Sequence, residues 1–148
     1  MCGICGELRL DGRAPDSNTL QRMLSRLEKR GPDHEGVHVQ GALVMGHRRL
    51  SVIDLSHASD QPWVDEALGL ALVFNGAIYN YRELRAELIS AGYQFASEGD
   101  TEVVLKAWAA WGEGFAERLH GMFAAAIWDR KQRKLILVRD RFGIKPLY

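Results

Sequence analysis

Apolar residues recur along this chain at two spacings, and each spacing predicts a different element. Ile4, Leu8 and Leu10 lie on one face of a two-residue repeat, which predicts a half-buried strand soon after residue 2. Segments rich in apolar or β-branched residues, separated by Gly, Ser, His and Asp, predict further strands at 37–39, 42–45, 50–55 and 68–74. A short charged segment joins two later apolar segments, which predicts a hairpin of residues 122–129 and 135–139.

Helical spacing predicts three helices, each with a start signal. The first follows the capping residues Asp16 and Ser17, stops before residue 31, and has the inward positions Leu20, Met23, Leu24 and Leu27. The second follows Asn80, which together with Glu83 resembles a capping box. The third starts near Asp100. This mixture predicts one α+β domain in which helices cover sheets.

Composition narrows the function classes. The chain has 148 residues and 47% hydrophobic content, which is enough for one domain with a real core. Lys plus Arg and Asp plus Glu both number 19, so no net charge favours nucleic acid or a membrane surface, and no apolar stretch is long enough to span a bilayer. Two cysteines are too few for a disulfide framework. We therefore expect a cytoplasmic protein that acts on a small molecule.

Cys2 is the first candidate for chemistry. Removal of Met1 would place a thiol and a free α-amine on one residue, and an amine with an ordinary pKa of about 8 can take the thiol proton. The alternative is that a cysteine at position 2 is accidental. Cys2 and Cys5 also form a C-x-x-C pair, but a structural zinc site needs four ligands and a redox pair would follow a strand. Metal or redox chemistry is therefore disfavoured.

Three other polar signals each have an ordinary structural alternative. Asn75-Gly76 is a strong signal for a hairpin turn, yet an Asn side-chain amide and a Gly N–H at a strand end are also donors suited to an oxyanion hole. Arg49 is either a solvated strand end or a fork for a substrate carboxylate. Asp100 is either a helix cap or an acceptor for a substrate ammonium group.

Together these segments resemble the N-terminal-nucleophile glutaminase domain of class II amidotransferases, specifically that of glutamine-dependent asparagine synthetases. The resemblance covers the whole chain and rests on residues 1–4, 30–33, 47–54, 74–76, 78–80, 99–102, 121–124 and 139–148. It implies a four-layer α-β-β-α sandwich of the N-terminal-nucleophile hydrolase type, formed by residues 2–148 and lacking its last strands.

The resemblance also implies a role for each candidate residue. Cys2 would attack the side-chain carboxamide of glutamine, ammonia would leave, and water would hydrolyse the thioester to glutamate. Asn75 and Gly76 would stabilise the oxyanion, Arg49 would hold the α-carboxylate, and Asp100 would hold the α-amine. The remaining implied glutamine-binding residues are Leu50, Ser51, Val52, Ile53 and Ala77.

Two departures from the family pattern change these expectations. Asparagine synthetases usually carry glutamate after the Asn-Gly pair, where its carboxylate helps to bind the substrate amine, and Ala77 therefore predicts weaker glutamine binding. The family also continues beyond Tyr148 through closing strands into an ATP-dependent synthetase domain. We expect no cofactor in this chain, since ATP and Mg would belong to the absent synthetase domain.

The expected partners follow from the same resemblance. They are L-glutamine and a synthetase domain or partner chain that completes the sheet and accepts ammonia, whereas nucleic acid and membranes are not expected. An exposed sheet edge would also permit a homo-oligomer. The alternative function is a catalytically weak or inactive remnant, or a regulatory module that keeps the fold and glutamine affinity. A third, a small zinc or redox module, would rest on Cys2 and Cys5.

Overall fold

Seven strands in two antiparallel sheets form the centre of the fold, and a computed structural model describes all 148 residues. The first sheet has the order β1-β3-β2 and consists of β1 (Gly3–Leu8), β2 (His34–Gln40) and β3 (Leu43–Arg49). The second has the order β4-β5-β6-β7 and consists of β4 (Trp63–Asp65), β5 (Leu70–Ile78), β6 (Gly121–Asp129) and β7 (Lys134–Arg139).

Four α-helices connect these strands: α1 (Ser17–Leu27), α2 (Tyr81–Ser90), α3 (Asp100–Trp111) and α4 (Phe115–Arg118). The Asp16 side chain accepts a hydrogen bond from the Asn18 backbone N–H, which satisfies one free donor at the start of α1 and confirms the predicted cap. Gly112 directly follows α3 with a φ of 54°, a conformation that glycine adopts without strain. None of the helices combines the length and apolar character that a membrane span requires.

The packing is a four-layer α-β-β-α sandwich, as the resemblance implied. Leu20 and Leu24 of α1 pack against Val44 on the outer face of the first sheet. The largest core, a cluster of 16 buried residues, lies between the second sheet and the helices α2, α3 and α4. A smaller core joins the facing surfaces of the two sheets and is centred on Leu43, Met45, Ala71 and Val73.

The central strand β5 is buried on both faces, which explains its unbroken apolar sequence. Leu72 and Phe74 belong to the core shared with the helices, whereas Ala71 and Val73 face the other sheet. A strand covered on both faces has no solvent side on which polar residues can alternate. Burial of a Leu, Val or Phe side chain contributes roughly 1.5 to 3 kcal/mol to stability. The position of β5, and of the residues at its C-terminal end, is therefore strongly fixed by packing.

The predicted strand at 50–55 is wrong. β3 ends before it, and the segment forms a loop whose backbone is held by side chains rather than by a neighbouring strand. The Ser51 backbone N–H donates to Asp33 Oδ2 at 2.7 Å. Val52 and Leu55 are 72% and 76% exposed, so the apolar pattern of this segment does not mark a buried face.

Other local predictions are corrected in detail. Leu10 lies outside β1 and is 91% exposed, because the strand ends at Leu8. Asn80 precedes α2 but makes no capping bond; its side chain instead joins two backbone groups near the start of β6, donating to Arg118 O and accepting from His120 N, each at 3.0 Å. The predicted hairpin of β6 and β7 is confirmed, whereas β4 and α4 were not predicted.

Candidate active site

One cavity of about 230 Å³ brings together all the predicted site residues except Ser51. It lies where the N-terminus, the loop after β3, the end of β5 and the start of α3 meet. The predicted residues in its wall are Cys2, Arg49, Leu50, Val52, Ile53, Asn75, Gly76, Ala77 and Asp100. Ser51 is not part of this wall, and its backbone N–H donates to Asp33.

Cys2 precedes β1 and is half-buried in this wall. The Cys2 Sγ accepts the Leu50 backbone N–H at 3.4 Å and lies 3.6 Å from Leu50 O. The Nε of Arg30 donates to the backbone carbonyl of Cys2 at 3.3 Å. The thiol is thus held against the loop that follows β3. Met1 lines the same cavity and is joined by its peptide bond to the Cys2 nitrogen, so only its removal gives Cys2 a free α-amine.

Asn75 and Gly76 do not form a turn. They lie within β5, opposite Ala124 and Phe123 of β6, so the hairpin interpretation of this dipeptide is wrong. Glycine is required because a Cβ at position 76 would lie 2.3 Å from Met122 O, closer than any side-chain carbon can approach. The strand therefore presents an amide side chain and a glycine backbone at the cavity, as an oxyanion hole requires.

Arg49 ends β3 as a buried cation with several fixed acceptors. Its Nη1 donates to Ser56 O at 2.8 Å and to Asp60 Oδ1 at 2.6 Å, and its Nη2 donates to Asp54 O. Asp60 Oδ2 also accepts from the exposed His57 at 2.8 Å. Burial alone would raise the pKa of Asp60, but the hydrogen bonds from His57 and Arg49 hold it below its usual range. Arg49 is therefore a pre-oriented cation, not a solvated strand end.

Asp100 is the first residue of α3, while Gly99 takes the position before the helix. The carboxylate is 5% exposed and accepts the Ile78 backbone N–H at 2.9 Å, which ties the helix start to the end of β5. Burial raises the pKa of Asp100 to about 6, although backbone hydrogen bonds partly oppose this shift. A buried carboxylate beside an open cavity is suited to bind a cation.

Sequence reasoning missed several residues in and around the cavity. Gln61 is buried and links two walls, since its Oε1 accepts the Phe74 N–H at 2.6 Å and its Nε2 donates to Thr101 at 3.3 Å. His47 is fully buried 3.1 Å from Phe74 O, and burial lowers its pKa to about 4. Lys145 also lines the cavity. The sequence feature that could have pointed to it is a charged residue within an apolar C-terminal segment.

The two cysteines occupy different surroundings. Cys5 packs against α1 and the outer face of the first sheet, whereas Cys2 lines the cavity. Burial, and secondarily the charge of Glu35, raises the pKa of Cys5 to about 11, which disfavours its reactive thiolate. No group of three or more His, Cys, Asp and Glu side chains is placed to bind a metal ion. The candidate nucleophile Cys2 and the second cysteine therefore face different parts of the fold.

Comparison with known proteins identifies the family of this chain. The family model described as a glutamine amidotransferase domain matches residues 1–148. Asparagine synthetase [glutamine-hydrolyzing] 2 of Bacillus subtilis is 40% identical over 153 residues, covering 100% of this chain and 20% of the relative. A putative glutamine-hydrolyzing asparagine synthetase of Mycobacterium tuberculosis is 43% identical over 145 residues, covering 91% of this chain and 22% of the relative.

A solved structure supports the fold. The glutamine phosphoribosylpyrophosphate amidotransferase from B. subtilis, complexed with ADP and GMP, superposes with a TM-score of 0.60 and 25% identity over 73% of this chain and 25% of that one. The chain thus spans about a fifth to a quarter of the length of the relatives it matches. The family match over its whole length and the shared fold lead to one conclusion: the chain belongs to the glutamine amidotransferase domain family, with glutamine-hydrolysing asparagine synthetases among its relatives.

Proposed function

We propose that this domain hydrolyses the side-chain amide of glutamine to glutamate and ammonia, with Cys2 as the nucleophile once Met1 has been removed. The observation that carries the proposal is the convergence of a thiol, an Asn-Gly pair, a cation and a carboxylate on one cavity. Each group matches one part of the substrate, and the four groups come from segments far apart in the sequence.

The reaction follows from these positions. The α-amine of Cys2 takes the thiol proton, and the thiolate attacks the carboxamide carbon of glutamine. Asn75 and Gly76 donate hydrogen bonds to the oxyanion that forms. The C–N bond then breaks as the amine returns its proton to the leaving nitrogen, and ammonia departs. Water attacks the thioester, the C–S bond breaks, and glutamate and the free thiol are released.

Arg49 and Asp100 hold the two charged groups of the substrate. Arg49 has anchors on Nη1 and Nη2, and its remaining N–H donors are available to the α-carboxylate of glutamine. Asp100 accepts the Ile78 backbone N–H on one carboxylate oxygen, Oδ2, which leaves acceptor capacity for the α-ammonium group. The cavity thereby selects an α-amino acid with an amide at the end of its side chain.

The fate of the ammonia is a second part of the proposal. Relatives named as glutamine-hydrolysing asparagine synthetases are several times longer, which supports transfer of ammonia to a synthetase domain or partner chain. The expected closing strands, the cytoplasmic location and a homo-oligomeric state stay predictions. The competing candidate is a weakly active or inactive module that binds glutamine, and Ala77 is the observation that favours it.

Intact-mass analysis after treatment with the glutamine-analogue electrophile diazo-oxo-norleucine tests the proposal. The processed protein should lack Met1 and gain one adduct, and it should release glutamate and ammonia from glutamine. Cys2→Ala should do neither, whereas Cys5→Ser should behave like the wild type because Cys5 lies outside the cavity. A folded, processed protein that takes no adduct would support the inactive module instead.

A further inference from the structure

Lys145 is a buried cation that the reaction described above does not use. It is 2% exposed and lines the same cavity as Cys2. The partner of its Nζ is the sulfur of Met1. A thioether is a weak acceptor, and burial of an ammonium group without strong partners is unfavourable, so a requirement other than stability explains its place.

The chain holds Lys145 in the cavity by a specific turn. The buried Asp140 carboxylate accepts four backbone N–H groups, which close the segment after β7 onto β6. The donors and their distances are Phe123 (3.1 Å), Phe142 (3.2 Å), Ile144 (2.9 Å) and Lys145 (3.0 Å). The backbone of Lys145 is therefore held beside the cavity by the hydrogen bonds to Asp140.

Removal of Met1 changes the surroundings of this ammonium group. Lys145 Nζ contacts the sulfur of Met1, and Met1 is bonded to the Cys2 nitrogen, so Lys145 and the residue that carries the new α-amine line one cavity. Processing takes away the sulfur and creates a second basic nitrogen in the same cavity. The cavity then contains the Lys145 ammonium group and an α-amine that must be neutral to accept the thiol proton.

We propose, as an inference that rests on the proposed function, that Lys145 activates the processed Cys2 in two ways. It keeps the α-amine of Cys2 in the neutral, proton-accepting form, and it favours the Cys2 thiolate. A positive charge disfavours protonation of a neighbouring amine and favours ionisation of a neighbouring thiol. Both effects extend the active protonation state of Cys2 to lower pH. Lys145 acts through Cys2 and needs no contact with glutamine.

The other charged side chains around Cys2 have hydrogen-bond partners of their own. Arg49 is held by Asp60 and by two carbonyls, and Arg30 donates to the Cys2 carbonyl from outside the cavity wall. Of the acidic residues in the wall, Asp54 accepts from Ser56, Ser59 and Glu98. Asp100 accepts from Ile78 at the end of β5. Neither carboxylate is hydrogen-bonded to Lys145.

The test measures the rate of Cys2 alkylation by iodoacetamide, and kcat/KM for glutamine, as functions of pH. Each chain is produced with Cys2 exposed by a site-specific protease, so that differences in Met1 removal do not enter. The variants are Lys145→Met, which keeps the bulk and removes the charge, and Lys145→Arg, which keeps the charge. Lys131→Met, on the exposed turn between β6 and β7, is the matched control.

We expect Lys145→Met to move the acid limb of both profiles upward by about one pH unit, while Lys145→Arg and Lys131→Met leave it near the wild-type position. Unchanged profiles in a folded Lys145→Met protein that still turns over glutamine would overturn the inference and leave the proposed function intact. Failure of the wild type to react with glutamine or its analogue would instead refute the proposed function.

Discussion

Two charged side chains of the cavity wall, Arg49 and Asp100, are held differently. Arg49 is anchored by three acceptors from the loop that follows β3, and Asp60 compensates its charge. Asp100 accepts the Ile78 backbone N–H and forms no ion pair, and burial raises its pKa to about 6. Ala77, beside it, adds no charge where related synthetases are expected to carry glutamate.

This difference predicts how each side chain responds to its surroundings. Arg49 is fixed by its hydrogen-bond partners, so its contribution to glutamine binding should depend on the geometry of the loop after β3. The contribution of Asp100 should depend on ionisation, because only the carboxylate form attracts an ammonium group strongly. We therefore expect the Arg49 site to be formed before glutamine binds, whereas the substrate supplies the cation that Asp100 lacks.

The largest effect is expected from removing the charged side chain of Arg49. Arg49→Met should lower kcat/KM for glutamine roughly 100-fold, since truncating one partner of a buried charge pair costs about 3 kcal/mol. L-glutaminamide, which lacks the α-carboxylate, should lose far less activity. Steady-state kinetics on both substrates measures the difference.

Arg48→Met is the matched control for that prediction, because Arg48 pairs with Glu35 and lies outside the cavity. The control should keep wild-type discrimination between the two substrates. Equal losses on glutamine and glutaminamide in Arg49→Met would contradict a carboxylate-binding role. Such a result would indicate that Arg49 only supports the loop through Asp54 and Asp60.

A smaller, pH-dependent effect on glutamine binding is expected from Asp100. In the Cys2→Ala background, the dissociation constant of glutamine should fall about tenfold as the pH rises from 5 to 7, because Asp100 must ionise near pH 6. Asp100→Asn should bind glutamine more weakly at pH 7 and show no such dependence. Calorimetric titration measures both, and a wild-type constant that is flat across this range would refute the idea.

The same carboxylate has the opposite effect on stability. Its pKa is higher in the folded protein than the ordinary value of 3.8, so the folded state binds a proton that the unfolded state has released between about pH 4 and pH 6. The contribution of Asp100 to the unfolding free energy is therefore largest below this window and declines as the pH rises through it. We expect bound glutamine, whose ammonium group would pair with Asp100, to restore the stability lost at this site.

The regular elements were predictable where periodicity and burial agree. The helix from Ser17 and the β6-β7 hairpin follow their patterns closely, and the apolar run 68–74 identifies most of β5. The loop after β3 was not predictable, because its β-branched residues at 52 and 53 imitate a strand while its backbone bonds to side chains distant in sequence. Local pattern carries no information about such partners.

Residue roles at the site show the same limit. The roles of Cys2 and Arg49 were predicted from chemistry and family resemblance, whereas the partnership of Arg49 with Asp60 and the placement of Lys145 depend on the folded backbone. Asn75-Gly76 illustrates the conflict, because its local sequence favours a turn and the pairing with β6 makes it part of a strand. Tertiary pairing prevails where a strand is buried on both faces.

The smallest effect is expected from adding the charge that Ala77 lacks. Asn75 and Ala77 lie two residues apart on one face of β5 and both line the cavity, so a glutamate at 77 would extend beside the α-amine site. A hydrogen bond to a charged group contributes about 1.5 kcal/mol at the low end, and repulsion from Asp100 reduces this gain. Ala77→Glu should therefore lower the KM for glutamine roughly fivefold at pH 8.

Like-charge repulsion also makes a prediction about pH, which separates this effect from simple packing. The added carboxylate should raise the pKa of Asp100 further, so the benefit of Ala77→Glu should shrink as the pH falls toward 6. Ala77→Gln adds similar bulk without charge and should not improve the KM at any pH. If both variants, or neither, improve the KM at pH 8, charge at position 77 does not limit glutamine binding, and Asp100 alone is sufficient to bind the α-ammonium group.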